Sequence, residues 1–562
     1  MFGSSTTMKR SSPPTWTDGP PTRCLYWDRS GSQLFNVSRD PNLSLFTIRL
    51  RDPAVSTMQA PAISTERLLY VLLVTLVAVG VARRTWNLRG RRAFARSRGC
   101  LPPRSRAPVK DPIFGFDFIY DAIFNKAGDR YLESTLKSFR ELGTTYTMSR
   151  WAMSVFYTCD SLNMKQILAG SFEDFGLPHT RVTALSSFVG DGIFTLDNEP
   201  WYHARMSLKP MVARSDKETI RGILEGNFQS VLRLLPDDGA SVNLQDIFFR
   251  LVMDFATEYL TGNSAHMLDN EDTQGARAQQ FVSDYMTCST EVITCLGLGP
   301  LQHLRFNSDA KRAKNAVFSF LDAFIDDSLR KRAIKGASVR DDFLTQLTAL
   351  TTDRMVLRNQ LLHILIATRD TVASTLSNLF FVLARNPQVY DKLRANVLAV
   401  AGTEAPTTDQ LKQMKFARWC VNESLRLHPV IPIGGRQARR DTVLPRGGGA
   451  DGQAPLLVPE GTIVMSNVYA MHRDEQVFGA NVEAFNPERW DNLHPGWGYL
   501  PFSGGPRICM GQHIALTVVQ YILVRMAQTV SSIDGLGEKD WVEQYALATT
   551  CRGGVHVSLH KA

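Results

Sequence analysis

The chain has 562 residues, 44% hydrophobic and 21% charged, a balance that suits a globular protein with a large core. Its eight cysteines, at positions 24, 100, 159, 288, 295, 420, 509 and 551, form no CxxC pair and no regular spacing, which excludes a disulfide framework or a zinc site and fits a reducing cytosolic location. The net charge of +9 invites a nucleic-acid partner, but ten Lys and Arg with no acid between Arg83 and Lys110 account for it, the rest of the chain is balanced, and no nucleic-acid binding is expected.

Residues 1–57 are rich in Ser, Thr, Pro and Arg and carry no sustained periodicity, so disorder is expected there. Leu68 to Ala82, LLYVLLVTLVAVGVA, is an uncharged run between Arg67 and Arg83, slightly short of the roughly twenty residues of a spanning helix. The basic cluster on its downstream side alone places the rest of the chain in the cytosol by the positive-inside rule, and Tyr70 and Trp86 suit an interfacial belt. The run is therefore read as an N-terminal anchor in the endoplasmic-reticulum membrane, spanning once. Met58 lies ten residues before it and is read as the working initiator, residues 1–57 being a mis-called start or dispensable extension; if made, the extension is lumenal, with glycosylation sequons at Asn36 and Asn42. Leu101 to Pro108, LPPRSRAP, is a stiff, extended connection.

Further on, Trp201 and Arg205 stand at i, i+4 and share a helical face. Asp353 to Arg385 reads as a long apolar helix interrupted by a polar island, Ala367 to Val372, in which Asp370 and Thr371 need a purpose, because buried polar groups are costly unless satisfied or used. Glu423 and Arg426 have ExxR spacing, and Phe485 to Trp490, FNPERW, contributes Arg489. Leu500 to Ala515, LPFSGGPRICMGQHIA, is the organising stretch. Gly504, Gly505 and Pro506 make a tight turn, and the apolar run from Ile514 predicts a helix whose first turn starts at Cys509. A sulfur at a helix N-terminus is favoured as the thiolate, the form that binds metal. Gly511 has no Cβ to keep a flat macrocycle from the backbone, and Arg507 is placed to pair with an acidic substituent of such a group.

From Phe502 to Gly511 these residues read FxxGxRxCxG, and here the sequence resembles the cytochrome P-450 haem-thiolate monooxygenases. The resemblance implies a mainly α fold, one large helical domain with small β-sheets around a buried haem, preceded by the membrane anchor. The expected organisation is a disordered extension over 1–65, the anchor helix over 66–82, a basic proline-containing linker over 83–110, and the catalytic domain over 111–562. It implies haem b with Cys509 as axial metal ligand. Trp201, Arg205, Arg436, Phe502, Arg507 and Gly511 would bind the cofactor, the arginines and Trp201 through its propionates. Asp370 and Thr371 would be catalytic, relaying protons over the distal face, and Glu423, Arg426 and Arg489 would form a buried ionic cluster that fixes the Cys loop. Val430 to Gly435 would line the substrate pocket. Two positions depart from the family pattern. Thr368 stands where Gly is usual, its hydroxyl able to bond the carbonyl four residues back and widen the helix, and Val372 replaces a second hydroxyl. His363, one turn before Ala367, would suit a retuned pocket.

FEDFGLP, FVGDGIFTLDNEPW, RNQLLHILIATRDT and DTVLPRGGGADGQAPLLV resemble the fungal n-alkane and fatty-acid ω-hydroxylase branch. This implies oxygen insertion into the terminal or near-terminal C–H of a long aliphatic chain that arrives from the membrane, with NADPH electrons delivered by a cytochrome reductase and cytochrome b5 as a second donor. The alternatives are a tailoring oxidase acting on a polyketide, terpenoid or glycolipid, and, from another class, a haem-thiolate isomerase or dehydratase or a haem-bearing sensor. Retention of Asp370 and Thr371 argues against the last group. DFG at Asp174 to Gly176 and HRD at His472 to Asp474 spell protein-kinase motifs in the wrong order, without a Gly-rich loop, and are coincidences.

Overall fold

The computed structural model describes residues 65–109, 111, 130–150, 153–213, 217–236, 238–269, 273–333 and 342–562. The expected initiator Met58 and the sequons at Asn36 and Asn42 lie outside them. The chain divides into two units, Met1–Gly80 and Val81–Ala562.

Helix α1, Thr65–Ser97, holds the apolar run, and among the described residues it is the one helix long and apolar enough to cross a membrane. It does not stop at residue 82. Arginine and alanine are good helix formers and no proline intervenes, so the basic stretch expected as linker is helical to Ser97. The rest of the linker is extended, but it is held rather than free. Leu101 N–H donates to the Pro455 carbonyl at 2.9 Å, Arg104 N–H to Gly447 at 2.9 Å and Ala107 N–H to Thr147 at 2.7 Å, while Arg91 Nε pairs with Asp441 at 3.1 Å.

The remainder of the second unit is mainly helical. A five-stranded sheet has the order β1 (Thr145–Arg150), β2 (Met153–Thr158), β7 (Ile463–Asn467), β4 (Ile433–Ala438), β3 (Phe175–Gly176). β2 and β7 pair in parallel and the other neighbours are antiparallel. Beside it, β5 (Thr442–Gly448) and β6 (Ala454–Val458) form the ribbon that receives the linker. The helices that carry or border the candidate site are α2 (His179–Val189), α3 (Asn198–Ala213), α4 (Leu244–Thr261), α5 (Thr273–Leu298), α6 (Arg354–Leu383), α7 (Lys415–Leu427) and α8 (Gln512–Thr529).

α6 is the axis of the core. Asp353 caps it, accepting from the Met355 and Val356 N–H groups. Its apolar residues point in all directions because the helix is surrounded: Leu376, Leu379 and Phe380 pack with Phe248 and Leu251 of α4 and with Val518 and Ile522 of α8, while Leu361 and Leu365 join Phe188 of α2 and Phe281 of α5. In its middle, Ile364, Ala367, Thr368 and Thr371 alone retain accessible surface, at spacings of three and four. These four residues form a single accessible stripe on an otherwise enclosed stretch of helix.

The loop before α8 fits one residue type at one point. Gly505 has φ +67, and a Cβ there would lie 1.8 Å from the Leu168 carbonyl oxygen. Gly505→Ala is expected to cost about 3 kcal/mol from backbone strain and displacement of the loop, read as a lowered midpoint of thermal or urea unfolding; a midpoint equal to the parent's would contradict this close approach.

Candidate functional site

The loop from Leu500 to Gly511 is a folded-back turn in which the Cys509 N–H donates to the Phe502 carbonyl at 3.0 Å and Ile508 N–H to Gly505 at 3.0 Å. Ser503, with φ 62, and Gly505 supply its left-handed corners. α8 begins at Gln512, not at Cys509: Cys509 stands in the turn just ahead of the helix, with Gly511 at the N-cap. Its sulfur still meets the helix start. Burial pushes the Cys509 thiol above its ordinary value, opposed by the Gly511 N–H, the nearby Arg205 guanidinium and the Gln512 N–H. Cys509 retains accessible surface. Phe502 is half-buried and packs on the main core.

The candidate cofactor residues gather around this loop from four elements. Trp201 on α3 is buried beside two guanidinium groups, with Arg507 4.1 Å and Arg205 5.8 Å from its ring centre. Arg507 donates through Nη2 to Asp197 Oδ1 at 2.5 Å and to the Leu196 carbonyl at 3.2 Å. Among the described residues, Arg436 on β4 donates to the Gly435 carbonyl alone, at 3.0 Å. A further arginine, Arg181 on α2, joins them and donates to the Phe194 carbonyl at 3.3 Å. Burial lowers Arg181 to about 10, helped by Arg507, and lowers Arg436 to about 10, helped by Arg181. Asp197 offsets part of this: burial alone would raise its carboxyl, but Arg439, the Leu177 N–H and Arg507 hold it below the usual range. A crowd of half-desolvated cations with too little countercharge is the environment that calls for a bound dianion. At Gly511 a Cβ would meet no protein atom within 4 Å, so nothing in the chain itself requires glycine there. The donor set, the cation surplus and the open glycine fit a flat, thiolate-bound macrocycle with acidic substituents.

On α6 the two expected relay residues part company. Thr371 lies on the accessible stripe, its hydroxyl donating to the Ala367 carbonyl at 2.6 Å. Asp370 is buried off that stripe. Its Oδ1 takes Arg369 Nη1 at 2.6 Å, and its Oδ2 takes the Tyr285 hydroxyl of α5 in a short hydrogen bond. Arg369 lies over the rings of Phe249 and Tyr285, 4.8 and 5.0 Å from their centres. Burial first, then the Asp370 charge, raises the Tyr285 phenol well above its ordinary range, so it remains a donor. Tyr285→Phe removes a buried hydrogen bond to a charged group and is expected to lower stability by about 2 kcal/mol, read as the denaturant midpoint; an unchanged midpoint would mean that Arg369 alone satisfies Asp370.

The Thr368 hydroxyl donates to the Ile364 carbonyl at 2.9 Å, four residues back, but the helix is α-helical throughout and no widening occurs. His363 is not a pocket residue. It is fully buried and burial lowers it to about 4. Its Nδ1 accepts from the Phe194 N–H at 3.3 Å, and the Phe194 ring stacks on it at 5.5 Å. His363 pins the loop between α2 and α3 to α6.

Glu423, Arg426 and Arg489 come together. Arg426 binds both Glu423 oxygens at 2.8 and 2.9 Å, Arg489 Nε reaches Oε1 at 2.8 Å, and Trp490 Nε1 donates to Oε2 at 2.9 Å. Glu423 and Arg426 are fully buried. The connection to the Cys loop runs through His472: Arg426 donates to its carbonyl at 3.0 Å, and its Nε2 accepts the N–H of Leu500, the first residue of the loop, at 2.9 Å. HRD is thus no kinase motif but a buried histidine, a buried Arg473 paired with Glu483 at 2.8 Å, and an Asp474 that caps the following helical turn.

Sequence reasoning missed Arg181, Asp197, Tyr285 and His472. Asp197 stood next to a pattern already singled out, and Arg181, the lone arginine of a helix without acids, was a signal; Tyr285 and His472 carried none, since their partners lie 85 and 28 residues away.

A mainly helical domain that presents a partly accessible cysteine on a glycine-rich turn at the start of a core helix narrows the class of protein. The cytochrome P450 family model matches residues 118–533, and the chain belongs to that family of monooxygenases. It is 39% identical to cytochrome P450 monooxygenase himC of Aspergillus japonicus over 83% of this chain and 85% of the relative. It is 36% identical to cytochrome P450 monooxygenase FPY7 of Fusarium mangiferae, over 87% and 96% respectively. Cytochrome P450 52A13 of Debaryomyces hansenii is 35% identical over 79% of this chain and 89% of that protein. The family implies a haem held by a cysteine thiolate and electrons supplied by a reductase.

Proposed function

We propose that the chain inserts one oxygen atom of dioxygen into an unactivated C–H bond at or near the end of a long aliphatic chain. In this reading haem b is held by Cys509, and when bound it supplies the activation of dioxygen, using NADPH electrons passed on by a cytochrome reductase, with cytochrome b5 as a second donor. Trp201, Arg205, Arg436 and Arg507 hold its propionates, Phe502 backs the Cys loop against the core, and Gly511 leaves room for the ring. The N–H groups of Gly511 and Gln512 hold charge on the sulfur. Thr371 holds a proton at its hydroxyl on the cavity wall. Asp370 acts from behind it, as the acid end of a buried pair with Arg369. Glu423, Arg426 and Arg489 keep the loop in register through His472. With α1 as a single-pass anchor, the reading places the catalytic domain on the cytosolic face of the endoplasmic reticulum and lets an apolar substrate arrive from the bilayer.

The observation that carries the substrate class is the wall itself. Ile364 and Ala367 share the accessible stripe of α6 with two threonines, whose hydroxyls are both spent on carbonyls four residues back. Ile431 and Ile433, in the segment expected to line the pocket, also keep accessible surface. Such a wall offers contact to an alkyl chain and no spare donor to a polar ring system. A second reading, oxidation of an alkyl chain on a polyketide, terpenoid or glycolipid, stands beside it, because relatives outside the 52A group, himC at 39% and FPY7 at 36%, are at least as similar as the 52A relatives at 35–36%. The test is spectral. Fatty acids and alkanes of about twelve to eighteen carbons, then larger alkyl-bearing compounds, are added to the purified haem-loaded protein, and the shift of the ferric iron to high spin is recorded, followed by product analysis with reductase. A shift and terminal hydroxylation with the simple chains support the first reading. No shift with any of them, and a shift with an alkylated ring compound, would sink it in favour of the second.

A further inference from the structure

Asp197 lies one residue before α3, and everything around it is built to hold a carboxylate in one place. Its Oδ1 takes Arg507 Nη2 at 2.5 Å and the Asn198 N–H at 3.1 Å; its Oδ2 takes the Leu177 N–H at 2.8 Å and lies 2.7 Å from Arg439 Nη2. The packing leaves no slack. A Cβ on Gly176 would stand 2.6 Å from Arg439 Nε and 2.7 Å from Asp197 Oδ2, so glycine at 176 is what lets the pair close against β3. Asn198 itself has φ 53, a left-handed conformation that asparagine tolerates and that turns the chain into the helix at this point.

The consequence is directional. Arg507 is tied through Nη2 alone, to Asp197 and to the Leu196 carbonyl, which leaves Nη1 and Nε free among the described residues. Arg181 and Arg436 are each tied through one Nη1 to a backbone carbonyl. Arg507 and Arg439 thus contact the Asp197 carboxylate, and Arg181 and Arg436, tied to neutral carbonyls, feel its charge. We infer that Asp197 is a positioning residue: it fixes which edge of Arg507 faces the cofactor, keeps the neighbouring arginines from driving one another apart, and sets part of the charge felt at the iron. The inference rests on the haem binding proposed above. Asp197 touches none of the reacting atoms, so its effect is on how firmly the cofactor is held and on the reduction potential of the iron.

The experiment uses the full-length holoprotein. Haem transfer to apomyoglobin gives the rate of cofactor loss, and a spectroelectrochemical titration gives the midpoint potential. Asp197→Asn is expected to lose haem several-fold faster and to shift the potential upward, because a negative charge beside an electron-accepting centre is removed. Asp197→Glu, which keeps the charge in a longer side chain, is expected to hold the potential near the parent's. Arg439→Gln, which takes away a cation, is expected to shift the potential the other way, and it serves also where Asp197→Asn does not accumulate. A purely structural role would lower thermal stability without moving the two potentials in opposite directions. Parent-like potentials in Asp197→Asn and Arg439→Gln, or in Arg439→Gln alone where it is the only variant obtained, overturn the inference. A parent protein that takes up no haem overturns the functional reading and this inference together; a parent that holds haem beside unaltered variants overturns this inference alone.

Discussion

Cys509→Ser is expected to abolish monooxygenation, with turnover down by at least about 100-fold, while the fold survives. The thiol of Cys509 is pushed upward by burial, yet its surroundings are arranged for charge: the Gly511 N–H, the Arg205 guanidinium and the Gln512 N–H all oppose that rise. A bound metal would tip the balance to thiolate, because a coordinated thiol gives up its proton. A serine hydroxyl is far less acidic than a thiol and does not ionise under the same influences, so the substitution removes the donor and keeps the shape. The checks are the carbon monoxide difference spectrum of the reduced protein, which reports thiolate ligation, turnover with reductase, and far-ultraviolet circular dichroism. A variant that keeps the thiolate spectrum and turns over at the parental rate would sink the assignment of Cys509.

Glu423→Ala is expected to be the most damaging substitution outside the Cys loop, costing about 3–5 kcal/mol and with it the holoprotein. Two arginines depend on this carboxylate. Arg426 is fully buried and Arg489 nearly so, and Glu423 meets both at 2.8 Å. Removing it strands their charges in the interior, where water cannot replace the lost partner. The backbone carbonyls of His472, Val482 and Ala484 would still receive Arg426, but they are neutral acceptors and do not compensate a buried cation. Because Arg426 grips His472, and His472 receives the Leu500 N–H, the damage is transmitted to the loop that carries Cys509. The measurement is chemical denaturation together with haem bound per polypeptide. Glu423→Gln, which keeps some hydrogen bonds but not the charge, should fall between Ala and parent. A Glu423→Ala protein as stable and as haem-replete as the parent would show the cluster to be dispensable.

The legible part of the site was the part written in local spacing. ExxR places Glu423 and Arg426 on one turn of α7, WxxxR places Trp201 and Arg205 on one face of α3, and the Thr368 hydroxyl reaches the carbonyl four residues back because helical geometry brings it there. Local spacing also misled. It placed the start of α8 at Cys509, whereas the chain needs three more residues to leave the turn, and it ended α1 at residue 82, whereas nothing in the arginine-rich stretch breaks a helix. The direction of a side chain in the middle of a buried helix could not be read at all. Asp370 and Thr371 are neighbours in sequence, but 3.6 residues per turn aims them about 100° apart, one at Tyr285 and the other along the accessible stripe.

By itself, then, the sequence determined the family, the loop bearing the cysteine that stands at the site, and the apolar run of α1, because each is a pattern of residue types within a few turns of chain. Only the tertiary structure decided what lies beside what. It brought Asp197, Arg439 and Gly176 into one hub with Arg507 across more than 300 residues, tied Tyr285 to Asp370, and turned His363 away from the pocket to clasp the loop before α3. The physical reason is that a buried charge or hydrogen-bonding group must find a partner somewhere, and a packed core supplies it from whichever segment the fold brings near, not from whichever segment is near in the chain.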